Sequence, residues 1–223
     1  MKIGIIGSGV VAQTLGKAWL GQGQDVALGT RDPNKLDDKK MFATSLREWQ
    51  AQTENRGRIL SFQDAAAYGE ILVNATSGTV SLDALRLAGA NKVGGKVLVE
   101  VANELDASKG MPPRALAAQD RCLAEKIQAE FPNLKVVKTL NTVNAFVMVN
   151  PKGLAGGDHT VFVSGNDPGA KAQVKELLQG FGWADILDLG DISTARGPEM
   201  YMAMWIRLWG ATGTGNLNMK VQR

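Results

Sequence analysis

The chain has 223 residues, of which 44% are hydrophobic and 21% are charged, and its formal net charge is +3. These values are close to those of ordinary globular proteins, which excludes wholesale disorder. The cations alternate with acids, as in RDPNKLDDKK at 31–40, so the chain lacks the one-sided basic stripe of a nucleic-acid-binding protein. Glycine makes up about 12% against a usual ~7%, which is typical of many tight turns or of a backbone that approaches a ligand closely.

The N-terminal segment and the single cysteine bear on the compartment. The chain begins without a signal-peptide cleavage pattern, and no apolar run approaches the ~18 residues of a membrane span. Cys122 has no second cysteine to pair with, and we expect it to be a small buried side chain. These features predict a cytoplasmic protein without a membrane or nucleic-acid partner.

Short apolar, β-branched runs alternate with helical patterns along the first two thirds of the chain. The predicted strands are 2–6, 25–29, 59–61, 70–74, 96–101 and 134–140. The predicted helices are 10–21, 45–55, 81–88 and 114–131. Because each helix lies between two strands, the pattern predicts right-handed crossovers and a parallel sheet covered on both faces.

The pattern changes after about residue 143. Strands are predicted at 160–164 and 184–189, on either side of a helix that Asp167 caps and Pro168 starts. The segment 198–209 is apolar nearly all round, which indicates a helix buried in a core or against a partner subunit.

The predicted fold is therefore α/β: a Rossmann-type, doubly wound, mostly parallel sheet with a small α+β C-terminal lobe. We assign residues 1–143 to a dinucleotide-binding domain. Residues 144–223 form the lobe, which packs on that domain without a true linker.

Gly7, Ser8, Gly9, Val10 and Val11, followed by an alanine, fit the pattern G-x-G-x-x-A between the first predicted strand and helix. The first glycine makes the turn, the second lets a pyrophosphate approach the backbone, and the small third residue allows close packing. The start of the helix offers free N–H groups and the positive end of its dipole to the phosphates. The motif predicts a dinucleotide site at these residues.

The end of the second strand distinguishes the two nicotinamide dinucleotides. An enzyme that uses NAD normally has an acid there for the ribose 2′-hydroxyl, whereas Thr30, Arg31 and Lys35 supply a hydroxyl and two cations suited to a 2′-phosphate. Asp32 precedes Pro33 and suits a helix cap, although a role as a ribose ligand stays open. The alternative for Arg31 and Lys35 is a solvated surface. The sequence favours NADP.

Three later loops follow strands and should line the nicotinamide end, because ligands lie beyond the carboxyl ends of parallel strands. The candidate residues in these loops are Thr76, Ser77, Ala102, Asn103, Asn141, Thr142 and Ala145. They are small and non-ionisable, whereas reduction of a keto acid usually needs a proton donor beside the hydride. The only histidine, His159, lies in a glycine-rich turn, where we expect a solvated or turn-capping residue. We predict no catalytic side chain, no metal, and an acceptor that takes hydride onto its own ring, such as a flavin or deazaflavin.

The chain resembles the F420-dependent NADP oxidoreductases, a family that includes deazaflavin:NADP oxidoreductases and the cytoplasmic domains of ferric reductases, and in particular its bacterial branch. The resemblance covers essentially the whole chain. It is carried by GSGVV at 7–11, GTR at 29–31 with Lys35, VKTLNT at 137–142, VSGND at 163–167, DLGDI at 188–192 with AR at 195–196, and GATGTG at 210–215.

This resemblance implies hydride transfer between NADPH and a deazaflavin such as coenzyme F420, with the two rings stacked. It places Ser8, Gly9, Val10 and Val11 on the pyrophosphate and Thr30, Arg31 and Lys35 on the 2′-phosphate. It places Thr76, Ser77, Ala102, Asn103 and Ala145 at the nicotinamide. Asn141 stands where the archaeal deazaflavin enzymes carry a histidine, so a flavin, a ferric chelate or a quinone stays open as the acceptor.

Met200, Met204 and Leu208 form a stripe on the C-terminal helix, with Trp205 and Trp209 beside it. Such a stripe is more typical of a core or a dimer interface than of a cofactor pocket, and we expect a homodimer. Two alternative functions stay open, namely a dehydrogenase or imine reductase of a small molecule and a non-catalytic NADPH sensor.

Overall fold

The computed structural model describes residues 1–38, 42–116 and 120–223. The strands in these residues are β1 (Lys2–Ile6), β2 (Asp25–Thr30), β3 (Arg58–Ser61), β4 (Ile71–Asn74), β5 (Val97–Glu100), β6 (Leu105–Asp106), β7 (Arg114–Ala115), β8 (Lys135–Thr139), β9 (Thr160–Gly165) and β10 (Asp185–Gly190). The α-helices are α1 (Val10–Gly21), α2 (Leu46–Gln52), α3 (Phe62–Tyr68), α4 (Ser81–Ala88), α5 (Ala90–Val93), α6 (Leu123–Glu130), α7 (Ala145–Val149), α8 (Pro168–Phe181) and α9 (Arg196–Thr212).

One sheet of eight strands, in the order β10-β9-β8-β5-β4-β1-β2-β3, forms the centre of the described structure. Every neighbouring pair is parallel except β8 and β9, which are antiparallel. Strands β6 and β7 form a separate antiparallel ribbon. The predicted α/β fold with a doubly wound, mostly parallel sheet is confirmed.

Helices cover both faces of the sheet, because its central strands are apolar on both sides. On one face, Trp19 of α1, Trp49 of α2 and Phe181 of α8 pack in one buried cluster. On the other face, Leu85 of α4 and Ile127 of α6 belong to a second buried cluster. None of the helices described here has the length and apolar composition of a membrane span.

With one exception, the bounds of the predicted elements agree with the observed ones to within about three residues, whereas α3, α5, α7 and the β6–β7 ribbon have no predicted counterpart. Helix α3 was not predicted, although Ser61 caps it by accepting a hydrogen bond from the Asp64 N–H. The helix predicted at 114–131 is wrong in its first half. Residues 114–115 pair as β7, and α6 begins only at Leu123.

The C-terminal segment continues the same sheet, since β9 pairs with β8 and β10 with β9. Asp167 caps α8 as expected, accepting a hydrogen bond from the Ala170 N–H. The division of the chain into two domains at residue 143 stays a prediction.

The expectation that His159 is solvated is wrong, since the residue is buried and only 3% exposed. Its Nε2 lies 2.9 Å from the Pro151 carbonyl oxygen, and its Nδ1 lies 2.8 Å from the side-chain amide of Asn218. The ring also contacts Trp183 edge-on. His159 therefore fastens the chain end to the core.

Candidate functional site

The turn between β1 and α1 brings the backbone close to its neighbours on one side and leaves space on the other. Gly7 has a φ of 135°, and a Cβ there would lie 2.4 Å from the Ala75 carbonyl oxygen, so only glycine fits. Around Gly9, a Cβ would meet no described atom within 4 Å. Gly7, Ser8 and Gly9 line a cavity of about 410 Å³, which leaves room at the start of α1 for a phosphate.

A second cavity, of about 340 Å³, adjoins the first at the end of β2. Thr30 and Arg31 line both cavities, and Lys35 lines the second. Asp32 and Asp38 also line it, so two acids stand near the two cations. A phosphate here would meet Arg31 and Lys35 at the price of repulsion from the carboxylates.

Asp32 caps a turn and not a helix. Its Oδ1 accepts a hydrogen bond of 3.0 Å from the Asn34 N–H, and its backbone oxygen accepts one from the Lys35 N–H. Within the described residues, no helix follows at 34–36. The carboxylate is therefore held by the backbone two residues ahead, as in an Asx turn.

A third cavity, of about 330 Å³, shares Ala75, Thr76 and Ser77 with the first. It lies where the loops after β4, β5 and β8 meet α7 and α9. Its lining is Val11, Ala75, Thr76, Ser77, Val101, Ala102, Asn103, Leu105, Asn141, Val143, Asn144, Ala145, Met148, Met202 and Trp205. No side chain in this lining is ionisable. The three cavities thus form one groove across the carboxyl ends of the parallel strands.

The loops that form the third cavity are bound to one another. A Cβ on Gly78 would lie 2.4 Å from the Asn103 carbonyl carbon, so the loops after β4 and β5 touch through their backbones. Asn103 donates to the Asn141 carbonyl at 2.8 Å, and Asn141 donates in return to Asn103 Oδ1 at 3.0 Å. Asn141 also donates to the Pro198 carbonyl at 2.9 Å, which connects the loops to α9.

Leu140 precedes these contacts with a φ of 60°, a left-handed conformation that is rare for a side-chain-bearing residue. Such a conformation costs about 1–3 kcal/mol and persists only where the surroundings enforce it. Here it turns the chain at the end of β8, so that the next residue, Asn141, reaches Asn103.

Behind these loops lies a buried cluster that the sequence did not indicate, formed by Glu100, Lys138 and Glu199. The Lys138 ammonium lies 3.0 Å from Glu199 Oε1 and 3.7 Å from Glu100 Oε1. Glu100 also accepts a hydrogen bond of 2.6 Å from the side-chain amide of Asn74. Asn74 in turn accepts one of 2.8 Å from the Thr76 hydroxyl at the groove.

Burial shifts the protonation of two groups near this cluster. Desolvation raises the pKa of Glu100 from 4.5 to about 7, against the opposing charge of Lys138 and the hydrogen bond from Asn74. Desolvation likewise raises the pKa of the Cys122 thiol to about 12, with the nearby Glu199 acting in the same direction. Cys122 is buried, as predicted.

Most of the predicted site residues lie along the groove. Val10 lines neither the first nor the third cavity and faces a separate surface groove, although it contributes the first helical N–H of α1. Thr142 is only 1% exposed and lines none of the three cavities. The roles assigned to the predicted site residues stay predictions.

Other lining residues were missed. The first cavity is also lined by Phe62 of the unpredicted helix α3, by Val80 in the loop before α4, and by Leu87 of α4. Trp205 was noted but assigned to a core or dimer stripe, whereas it lines the third cavity with Met202. Met202 and Trp205 stand three residues apart, a helical spacing that could have indicated one shared face of α9.

The exposed stripe of α9 is not core. Met200, Met204 and Leu208 are 61%, 57% and 38% exposed. Their role in a homodimer stays a prediction. In the described residues no group of His, Cys, Asp and Glu side chains is arranged to hold a metal ion.

A glycine turn into a helix, a parallel sheet and a groove over its carboxyl edge define a Rossmann-type dinucleotide-binding protein. Residues 2–104 match the model of the coenzyme F420-dependent NADP oxidoreductases. A candidate F420-dependent NADP reductase from Arthrobacter sp. FB24 matches over 100% of both chains, with 49% identity and a TM-score of 0.94. The chain therefore belongs to the F420-dependent NADP oxidoreductase family, as its sequence suggested.

The chain is also similar to two more distant proteins. Metalloreductase STEAP3 of Rattus norvegicus is 26% identical over 213 residues, which is 93% of this chain but 38% of that protein. This chain thus spans well under half of that relative. An imine reductase from Streptomyces aurantiacus has 19% identity and a TM-score of 0.62, with 95% of this chain and 63% of its own covered. That likeness is one of fold.

Proposed function

We propose that this oxidoreductase transfers hydride between NADPH and a planar ring acceptor of the deazaflavin or flavin class. The observation that carries the proposal is the third cavity, which adjoins the dinucleotide groove and has a lining without an ionisable side chain. The direction of transfer is set by the relative potentials of the two partners, so the protein serves either direction.

In this proposal the first cavity holds the adenosine and pyrophosphate of NADPH. The N–H groups at the start of α1 face the phosphates, and the open space at Gly9 lets them approach the backbone. Arg31 and Lys35 bind the 2′-phosphate, and Thr30 adds its hydroxyl. The same residues would gain little from NADH, which lacks that phosphate.

The nicotinamide then lies against Thr76, Ser77, Ala102 and Asn103, where the first and third cavities meet. Asn103 and Asn141 are already bonded to each other, so they present fixed amide groups. When bound, NADPH supplies the hydride. The chain orients it by fixing the loops on either side of the ring.

The lining of the third cavity explains why we favour a ring acceptor. Reduction of a ketone leaves an alkoxide that needs a proton within hydrogen-bond reach, and the lining has no acid to give one. A deazaflavin or flavin delocalises the added electron pair over its own ring system and takes its proton from water. The chain then needs only to bind the ring flat and keep water from the hydride.

Met148, Met202 and Trp205 provide an apolar and aromatic wall for such a ring. Thioethers and indole rings pack favourably on flat aromatic surfaces. Asn144 gives one amide N–H to the Gly215 carbonyl and can donate the other to a ring carbonyl, since amide groups bind neutral polar edges without protonation. The cavity therefore has the apolar lining with few polar groups that is typical of small-molecule sites.

The experiment is an anaerobic stopped-flow measurement of NADPH oxidation with four acceptors: a deazaflavin, flavin mononucleotide, a ferric chelate and a keto acid. We expect oxidation with the deazaflavin or the flavin, and none with the keto acid. Oxidation of NADPH by the keto acid instead would favour a small-molecule dehydrogenase. Tight NADPH binding without oxidation by any acceptor would favour a sensor.

Oxidation of NADPH by the ferric chelate and by no other acceptor would favour a metalloreductase, which is the activity in the name of the rat relative. Such a reaction needs single-electron steps, whereas NADPH gives up a hydride, which matches a two-electron ring acceptor directly. We therefore rank it below a ring acceptor. The cytoplasmic location and the homodimer are further proposals from the sequence.

A further inference from the structure

Lys138 is the most unusual polar residue outside the groove, because its ammonium is fully buried between three elements. Its side chain and that of Glu100 are 0% exposed, and that of Glu199 is 7% exposed. Lys138 lies on β8, Glu100 on β5 and Glu199 on α9. The cluster therefore joins the sheet to the helix that carries Trp205.

The cluster holds the backbone of Ala102, which borders the predicted nicotinamide position. Lys138 Nζ donates to the Ala102 carbonyl at 2.5 Å. Glu100 Oε1 accepts a hydrogen bond of 2.7 Å from the Ala102 N–H. The backbone N–H and carbonyl of Ala102 are therefore both held by the buried cluster. The next residue, Asn103, is held by its hydrogen bonds with Asn141.

Glu199 fixes the other wall of the third cavity. Its carboxylate accepts the N–H groups of Leu123 and Ala124 at 2.9 and 3.1 Å, which caps α6. It lies in the first turn of α9, one turn before Met202. The ion pair with Lys138 therefore sets where α9 begins relative to the Ala102 loop.

Stability alone does not account for this cluster. Buried ion pairs lose most of their attraction to desolvation, and apolar side chains of similar size are often as stable or more so. The ammonium hydrogen-bonds the Ala102 carbonyl and lies between the carboxylates of Glu199 and Glu100, at 3.0 and 3.7 Å, so its contacts fix geometry instead. The elements so fixed are the two that face each other across the third cavity.

We propose that Lys138 is a positioning residue for hydride transfer, which sets the distance between the nicotinamide-side loop at Ala102 and the acceptor-side helix α9. This inference rests on the proposed function. It requires Lys138 to affect the rate of hydride transfer more than the binding of NADPH, because the phosphate contacts lie elsewhere in the groove.

The test compares Lys138→Met with Lys96→Met. Lys96 is a matched control, because its ammonium also donates to two backbone carbonyls, of Ala66 and Gly69, at 2.6 Å each. It does so at the far end of β5, away from the groove. We expect Lys138→Met to lower kcat with a ring acceptor by roughly 10- to 100-fold, the cost of about 1 Å of misplacement. The NADPH Kd should change less than about 3-fold in both variants, and Lys96→Met should keep its kcat.

A second readout needs no turnover. Hydrogen exchange in the apo protein should speed up at residues 101–105 in Lys138→Met and stay unchanged there in Lys96→Met. Should Lys138→Met fail to fold, Glu199→Gln is used in its place. It keeps an oxygen for the α6 cap but loses the ion pair, and we expect the same effect in weaker form.

Three results would overturn the inference. One is a folded Lys138 or Glu199 variant with wild-type kcat, and another is an equal loss of kcat and NADPH affinity, which indicates a merely structural role. The third is a wild-type protein that fails to oxidise NADPH with any of the ring acceptors. That result overturns the proposed function itself, and is distinguished from the first two because the unaltered protein is inactive.

Discussion

Replacement of Arg31 by alanine should separate binding of NADPH from binding of NADH. Arg31 lies at the junction of the first two cavities and is exposed. Within the described parts of the chain, its guanidinium has no ion-pair partner, so its removal leaves no carboxylate stranded. The cost to folding should stay within about 0.5 kcal/mol, as for other exposed sites.

The magnitude follows from the contact that is lost. A charge-assisted hydrogen bond contributes about 1.5–3 kcal/mol, so Arg31→Ala should weaken NADPH binding roughly 10- to 150-fold. NADH binding should change less than about 2-fold, because the contact that is lost is to the 2′-phosphate. The loss for NADPH should shrink as salt is added, since exposed charges are screened.

Isothermal titration calorimetry with both nucleotides measures this difference. Arg207→Ala is the control, because Arg207 is an exposed cation on α9 that lines none of the three cavities, and its removal changes the net charge equally. An equal loss of affinity for NADPH and NADH in Arg31→Ala would refute the assignment of the 2′-phosphate to this arginine.

Three further predictions concern other groups. Asp32→Asn should tighten NADPH binding about 2- to 5-fold in a fluorescence titration, because it removes a like charge worth about 0.5–1 kcal/mol; unchanged affinity would contradict a phosphate at this cavity. The native protein holds the Glu100 proton more tightly than the unfolded chain, since the folded-state pKa is about 7 against 4.5, so stability should fall as pH rises between these values. Each pKa unit corresponds to about 1.4 kcal/mol, so urea titrations should show the free energy of unfolding falling by on the order of 3 kcal/mol across that range. The charged groups that face Glu100 are Lys138, which opposes the shift, and Glu199, which adds to it. Glu100→Gln should flatten this pH dependence, and an unchanged slope in the variant would contradict the assignment to Glu100. Cys122 should react with a thiol reagent only after unfolding, because its thiol is buried with a pKa of about 12, and rapid reaction of the folded protein would count against this burial.

The local part of the site could be predicted from sequence. The turn at Gly7 and the start of α1 at Val10 depend on residues that are adjacent in the chain, and the structure places both at the expected positions. The same holds for β2, whose end at Thr30 fixes where Arg31 emerges. Short-range periodicity and turn chemistry are sufficient for such features.

The supporting part of the site could not be predicted. Lys138 and Glu100 stand in strands whose charged residues would ordinarily be read as exposed, and their partner Glu199 lies far along the chain. A lysine becomes buried only where it is paired with acceptors from several elements, and a local sequence pattern does not predict such tertiary contacts. The position of Trp205 in the groove likewise depends on how α9 packs against the β6–β7 ribbon.

The helix predicted over 114–131 failed for a related reason. Arg114 pairs its guanidinium with Asp106 at 2.7 Å across the β6–β7 ribbon, a contact between two short strands. Such short strands carry too few residues for an alternation to show.

The central claim is that one groove holds both NADPH and a ring acceptor. A crystal structure of the protein with NADP⁺ and a deazaflavin bound tests it most directly. We predict the 2′-phosphate on Arg31 and Lys35, the nicotinamide at Asn103, and the acceptor ring between the nicotinamide and Trp205, with the reacting carbons about 3–3.5 Å apart. A deazaflavin bound outside the third cavity, or a nicotinamide directed away from it, would contradict the claim.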